Sequence, residues 1–179
     1  PRRCSPSKMD SYTFTHEDHT MDLHALFLQS RPDGTSLFDL FLTECQKWYD
    51  KMLKQEPYRL EGLEYYSTCL WHMKKQVELV YISNYAFERS LNSPETWTIL
   101  GNCYSLQKEH ETALKYFSKA IQLDVYFSYA HTLSGHEYVD NEDFEQARKC
   151  YQEALKADER HYNAWWGLGN IFHKQEKYE

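Results

Sequence analysis

His136-Glu137, followed by Asp140, comes closest in this chain to a catalytic motif. A zinc-hydrolase helix presents two His four residues apart with a Glu beside the first, so that both imidazoles share one face. Here the second His is replaced by Asp140, and no metal site is expected. His16-Glu17-Asp18-His19 gathers ligand-type side chains in a polar stretch and reads as a solvated segment. There is no glycine-rich phosphate loop, no G-x-S-x-G, and nothing that pairs two carboxylates in a dry pocket, so no catalytic residue is assigned. Ser5-Pro6 is a candidate phosphorylation site; Ser93-Pro94 is the same dipeptide, read instead as a helix cap and first helical residue. Recognition is the better prospect. Asn102, His136 and Asn170 stand 34 residues apart, as do Thr98, Thr132 and Trp166, and Glu95, Tyr129 and Asn163. An Asn-His-Asn row can donate and accept the hydrogen bonds that an extended peptide needs.

Composition narrows the classes. Twenty basic residues face 27 acidic ones for a net charge of −7, which disfavours a nucleic-acid partner, because phosphate binding needs a basic footprint. No apolar run approaches the ~18 residues of a membrane span. The five cysteines are odd in number and form no C-x-x-C pair, against a disulfide framework or a thiolate metal site. With no signal peptide and no N-x-S/T acceptor, the expected compartment is reducing, nucleus or cytoplasm. No cofactor is implied. The chain stops within a helical pattern, so it is expected to be a piece of something longer.

The recognition rows need a scaffold with a 34-residue repeat, and the packing residues supply one. Trp97, His131 and Trp165 are in register, as are Gly101, Gly135 and Gly169, and Tyr104, Tyr138 and Phe172. Ala113 pairs with Ala147, Phe117 with Tyr151, and Ala120 with Ala154. This is the pattern of the tetratricopeptide repeat: small residues let two helices of a hairpin approach, and aromatic residues fill the gaps around them. The fold predicted is an all-α tetratricopeptide-repeat solenoid of antiparallel helix hairpins with a disordered N-terminal tail. Its expected division is a tail over 1–35, divergent repeat-like helices over 36–93, repeats over 94–127 and 128–161, and a truncated repeat over 162–179. Within the tail, Met21–Leu28 has the flavour of one short helix, and Ser36 is the expected N-cap of the next. That helix carries Leu37, Phe38, Phe41, Leu42, Cys45, Trp48, Tyr49 and Met52 on one face; after Pro57 another is expected over about 58–71. Cys69 lies 34 before Cys103, which places Ser67 at a small-residue position of a degenerate repeat. Val125 and Glu159 stand where Pro often ends a repeat, and Ser134 where Leu is usual. In such hairpins the first helix lines the inner groove, so all nine row residues are candidate peptide contacts.

Several runs go beyond the generic repeat. Tyr58-Arg59-Leu60-Glu61-Gly62-Leu63-Glu64, Tyr66-Ser67-Thr68, Leu70-Trp71-His72, Asn92-Ser93-Pro94-Glu95, Gly101-Asn102-Cys103-Tyr104-Ser105-Leu106-Gln107, Gly135-His136-Glu137 and Arg160-His161-Tyr162-Asn163-Ala164-Trp165 resemble the family of cell division cycle protein twenty-seven. That family provides the repeat scaffold of the anaphase-promoting complex. The resemblance covers about 36–179. It implies a non-catalytic scaffold within a ubiquitin ligase that controls mitotic exit. The implied partners are other subunits of the complex and the Ile-Arg tails of its coactivators. It further implies homodimerisation through repeats absent here. A repeat co-chaperone or other peptide-binding adaptor is the alternative; its usual carboxylate-binding groove is basic, and the rows hold no Lys or Arg.

Overall fold

A computed structural model describes residues 37–176, and every regular element among them is helical. The 1–35 tail, Ser5, the His16–His19 cluster, Met21–Leu28 and Ser36 lie outside the described residues. Eight helices follow in order: α1 Leu37–Gln55, α2 Leu63–His72, α3 Gln76–Arg89, α4 Pro94–Leu106, α5 His110–Leu123, α6 Ser128–Asp140, α7 Phe144–Ala157 and α8 Tyr162–Glu176. The pairs α2–α3, α4–α5 and α6–α7 are hairpins, and α8 opens a fourth.

Close approach within a hairpin rests on glycine. A Cβ on Gly101 would lie 2.3 Å from the Phe117 ring, and one on Gly135 would lie 2.5 Å from the Tyr151 ring. Ala113, Ala120, Ala147 and Ala154 on the second helices are wholly buried. At Gly169 the same position meets nothing within 4 Å.

The repeated aromatic at the head of each first helix has a polar task. The indole N–H of Trp97 donates to the Leu91 carbonyl at 2.7 Å, and that of Trp165 to the Glu159 carbonyl at 3.0 Å. His131 replaces Trp in the middle repeat and reproduces the contact, its Nε2–H donating to the Val125 carbonyl at 3.0 Å. The bond closes the loop between successive hairpins. His131→Trp is therefore expected to melt with the parent in thermal denaturation. His131→Ala should cost about 1–2 kcal/mol by exposing that carbonyl and emptying the site. A neutral alanine variant would remove this role.

Three turns inside the hairpins share one backbone. Lys74, Lys108 and Glu142 all have positive φ, 56°, 66° and 60°. Each follows a first helix, and the next residue's N–H returns to the helix: Lys75 to Leu70, Glu109 to Tyr104, Asp143 to Tyr138. This is the left-handed helix stop that caps the last carbonyls.

The structure departs from the sequence expectations at three places. α2 begins at Leu63 rather than 58, because Gly62 adopts φ 87° and residues 56–62 form successive turns. Ser93 has the extended backbone of a cap, but its hydroxyl donates to the Glu95 carboxylate instead of capping a backbone N–H. Trp48 is 61% exposed, off the α1 face that buries Leu42 and stacks Tyr49 on Tyr66 at 4.6 Å.

Candidate functional site: the inner groove of the first helices

The first helices bring the rows together, but several members are spent on packing. Thr98 and Thr132 are buried, and their hydroxyls donate back to the Pro94 and Ser128 carbonyls, at 2.9 and 3.1 Å. Asn102 is buried too. Its amide nitrogen donates to Ser67 Oγ at 2.8 Å and Thr68 Oγ1 at 3.0 Å, tying α4 to α2. Tyr129 is buried, with its hydroxyl bonded to Thr68 and its ring against Tyr65. These four were expected to offer polar groups to a partner; instead the three hydroxyls and the Asn102 amide nitrogen are bonded within the fold. A Thr hydroxyl that finds its own i−4 carbonyl has no net demand for an outside partner.

The remaining members are open in part. Asn163 is exposed, Glu95 and Asn170 are half-buried, and Trp166 is 40% exposed. His136 is wedged between Tyr151, whose hydroxyl meets its Nδ1 at 2.8 Å, and the Trp166 ring at 6.0 Å. Burial, then His72 and His161 nearby, pushes its pKa down to about 4, so at neutral pH the ring is uncharged.

Glu137, next to His136, turns the other way. It is buried and accepts from Ser105 Oγ–H and from His110 Nδ1–H, the latter at 2.7 Å. Ser105 in turn accepts from the Trp71 indole at 3.0 Å. A polar chain thus crosses from α2 through α4 to α6 and α5. The divergence of His136 and Glu137 also separates the two ligand-type groups of the zinc-like motif. Among the described residues no group of three or more His, Cys, Asp or Glu is placed to hold a metal ion.

The groove also contains residues the rows omitted. Glu61, Glu64 and Thr68 stand 34 residues before Glu95, Thr98 and Asn102, and so carry each row one hairpin further back. An open cleft of about 620 Å³ is lined by Glu56, Tyr58, Arg59, Leu60, Glu61, Ser93 and Glu95. Arg59 reaches Glu56 at 3.2 Å and Glu61 at 3.9 Å. Glu64, on α2, is 5% exposed, and its Oε2 has no hydrogen-bond partner. Burial, then the charges of Glu95 and Glu61, raises its pKa to about 8, against the partial relief of backbone N–H groups. The cleft is therefore lined by three carboxylates, and the protonated carboxyl of Glu64 is buried within electrostatic reach of two of them, Glu61 and Glu95.

The same repeat fold is found in known proteins. Two family models, both described as Tetratricopeptide repeat, match residues 94–126 and 132–179. Anaphase-promoting complex subunit 3 of Schizosaccharomyces pombe is 43% identical over 142 residues, 79% of this chain and 21% of that protein. Cell division cycle protein 27 homolog B of Arabidopsis thaliana is 49% identical over 147 residues, 82% of this chain and 20% of that protein. The crystal structure of the APC/C hetero-tetramer Cut9-Hcn1 contains a chain of the same fold, with TM-score 0.71 and 23% identity, over 86% of this chain and 27% of that one. This chain spans about a fifth of the length of the two curated relatives. It belongs to the cell division cycle protein 27 family of tetratricopeptide-repeat proteins.

Proposed function

We propose that this chain is part of a non-catalytic scaffold subunit of the anaphase-promoting complex, and that its inner groove holds an extended, cationic segment of a partner. The coactivator tails ending in Ile-Arg are the intended occupants. Other subunits of the complex contact the outer faces, the longer protein dimerises through repeats beyond this chain, and it works in nucleus and cytoplasm. What supports the reading is the family, together with one observation: Glu56, Glu61 and Glu95 line a single cleft that carries Arg59 as its one cation. An acidic groove of this kind favours a guanidinium over a carboxylate, which weighs against the co-chaperone alternative.

The test is binding of a fluorescent peptide ending in Ile-Arg, followed by anisotropy. Glu95→Gln and Glu61→Gln should each weaken it about tenfold or more, because a charge-assisted hydrogen bond contributes roughly 1.5–3 kcal/mol. Asn170→Ala and His136→Ala should have smaller effects. Asn102→Ala should act mainly through stability, since its amide holds α4 to α2. Unchanged affinity in both Glu variants, with intact helical content, would leave the groove as a spacer. Tighter binding of a peptide with an acidic terminus would favour the adaptor alternative.

A further inference from the structure

We propose that a cationic side chain seated between Glu61 and Glu95 expels the proton held on Glu64, so that filling the groove and ionising this carboxyl are one coupled event. The inference rests on the cationic-segment reading above and adds a charge switch to it. Its foundation is the placement of Glu64. The side chain is nine-tenths or more withdrawn from solvent, and one carboxyl oxygen is left without a donor. A buried ionised carboxylate in that state would be costly, whereas a neutral carboxyl is tolerated.

No cation faces it. The groups that interact with Glu64 are Glu61 in the turn before α2, Tyr65 on α2, Tyr49 from α1, Glu95 from α4 and Tyr129 from α6. The tyrosines stay neutral, and the two carboxylates repel any charge on Glu64. Arg59 lies in the cleft but is engaged with the exposed Glu56 and Glu61. Without a partner, Glu64 therefore stays in the protonated form.

A guanidinium arriving at Glu61 and Glu95 reverses each of these conditions. It cancels the repulsion and adds attraction to an ionised Glu64. The Glu64 O–H bond then breaks heterolytically: the electron pair stays on the carboxylate and the proton passes to buffer. A neutral segment of the same shape offers none of this. Binding should therefore discriminate for charge and strengthen as pH rises towards 8, where less work is needed to remove the proton.

The experiment is isothermal titration calorimetry of the chain with a peptide ending in Ile-Arg, at pH 7, in phosphate and in Tris. These buffers differ widely in ionisation enthalpy, so the difference in observed heat counts protons. The expected release is about half to nine-tenths of a proton per bound peptide, since a group with pKa near 8 is mostly protonated at pH 7. Glu64→Gln, and a peptide with citrulline in place of Arg, should release about none. Should Glu64→Gln fold poorly, the carboxyl carbon of Glu64 in the unaltered chain serves instead. Its NMR shift should move to the ionised position at pH 7 when peptide saturates the groove. Binding without buffer dependence, release that survives in Glu64→Gln, or an unmoved carboxyl signal would overturn the switch and leave the groove reading intact. A peptide that does not bind at all would overturn both.

Discussion

Replacing Gly135 with Leu is expected to lower the melting temperature of the chain by roughly 5–10 °C, while the same change at Gly169 leaves it level or raises it. The two glycines occupy one position of the repeat, so their difference comes from what surrounds them. At Gly135 even a methyl group would press on three atoms of the Tyr151 ring at 2.5–2.8 Å. Tyr151 has nowhere to retreat. It is fully buried, a Cβ on Gly167 from α8 would lie 2.4 Å from the same ring, and its hydroxyl is bonded to His136. Overpacking such a site typically costs about 1–3 kcal/mol, and the full side chain falls at the upper end. At Gly169 no atom lies within 4 Å, and replacing Gly inside a helix by a better helix former gains up to about 1 kcal/mol. Thermal melts followed by circular dichroism read both variants. Equal melting of Gly135→Leu and the parent would mean that Tyr151 is not the ring against α6 and that the register of this hairpin is wrong.

The 34-residue period was legible because packing positions are chemically narrow. A Gly whose added Cβ would lie 2.3 Å from a ring cannot be replaced without a shift in the packing, and a buried Ala between helices tolerates few alternatives. Polar rows are not narrow in this way. Thr98 and Asn163 both read as polar on the inner face, yet one satisfies its own helix and the other is open to solvent. Residue type gives donors and acceptors; only the three-dimensional neighbours say whether they are already engaged. Three features were within reach of the same spacing and were missed. Gly167 stands where Ile99 and Leu133 stand in the earlier repeats, and the vacated volume is taken by Tyr151, one hydroxyl larger than Phe117. Glu137 stands where Cys103 and Ile171 are packed, a carboxylate in an apolar position that implies the internal partners Ser105 and His110. Glu64 lies in a hairpin with Leu63 and Ser67 where the later ones carry the marking Trp and Gly, so the 34-residue pattern is faint there.

Glu64 also governs the second large effect, which needs no partner. The stability of Glu64→Gln relative to the parent is expected to rise by about 2–4 kcal/mol between pH 4.5 and pH 8. The sign follows from counting protons. The unfolded carboxyl titrates near 4.5, while burial and the neighbouring Glu95 and Glu61 hold the folded one to about 8. Between those values the folded chain binds the extra proton, so its stability falls as pH rises. Below 4.5 both states are protonated and the group contributes no pH dependence. The glutamine has the same shape and no proton to lose, so it escapes the decline. His136 and His72, whose pKa values burial lowers, act in the opposite direction: their unfolded forms take up protons in acid and the folded forms resist, so stability grows as pH climbs out of the acid range. That contribution is common to parent and variant and cancels in the difference, which is why the comparison isolates one carboxyl. Urea unfolding of both chains at pH 4.5, 6 and 8 gives the three differences required. A difference that stays flat would mean that Glu64 is ionised in the folded chain at neutral pH, with a donor on Oε2. The acidic cleft would then already be compensated without any cationic partner.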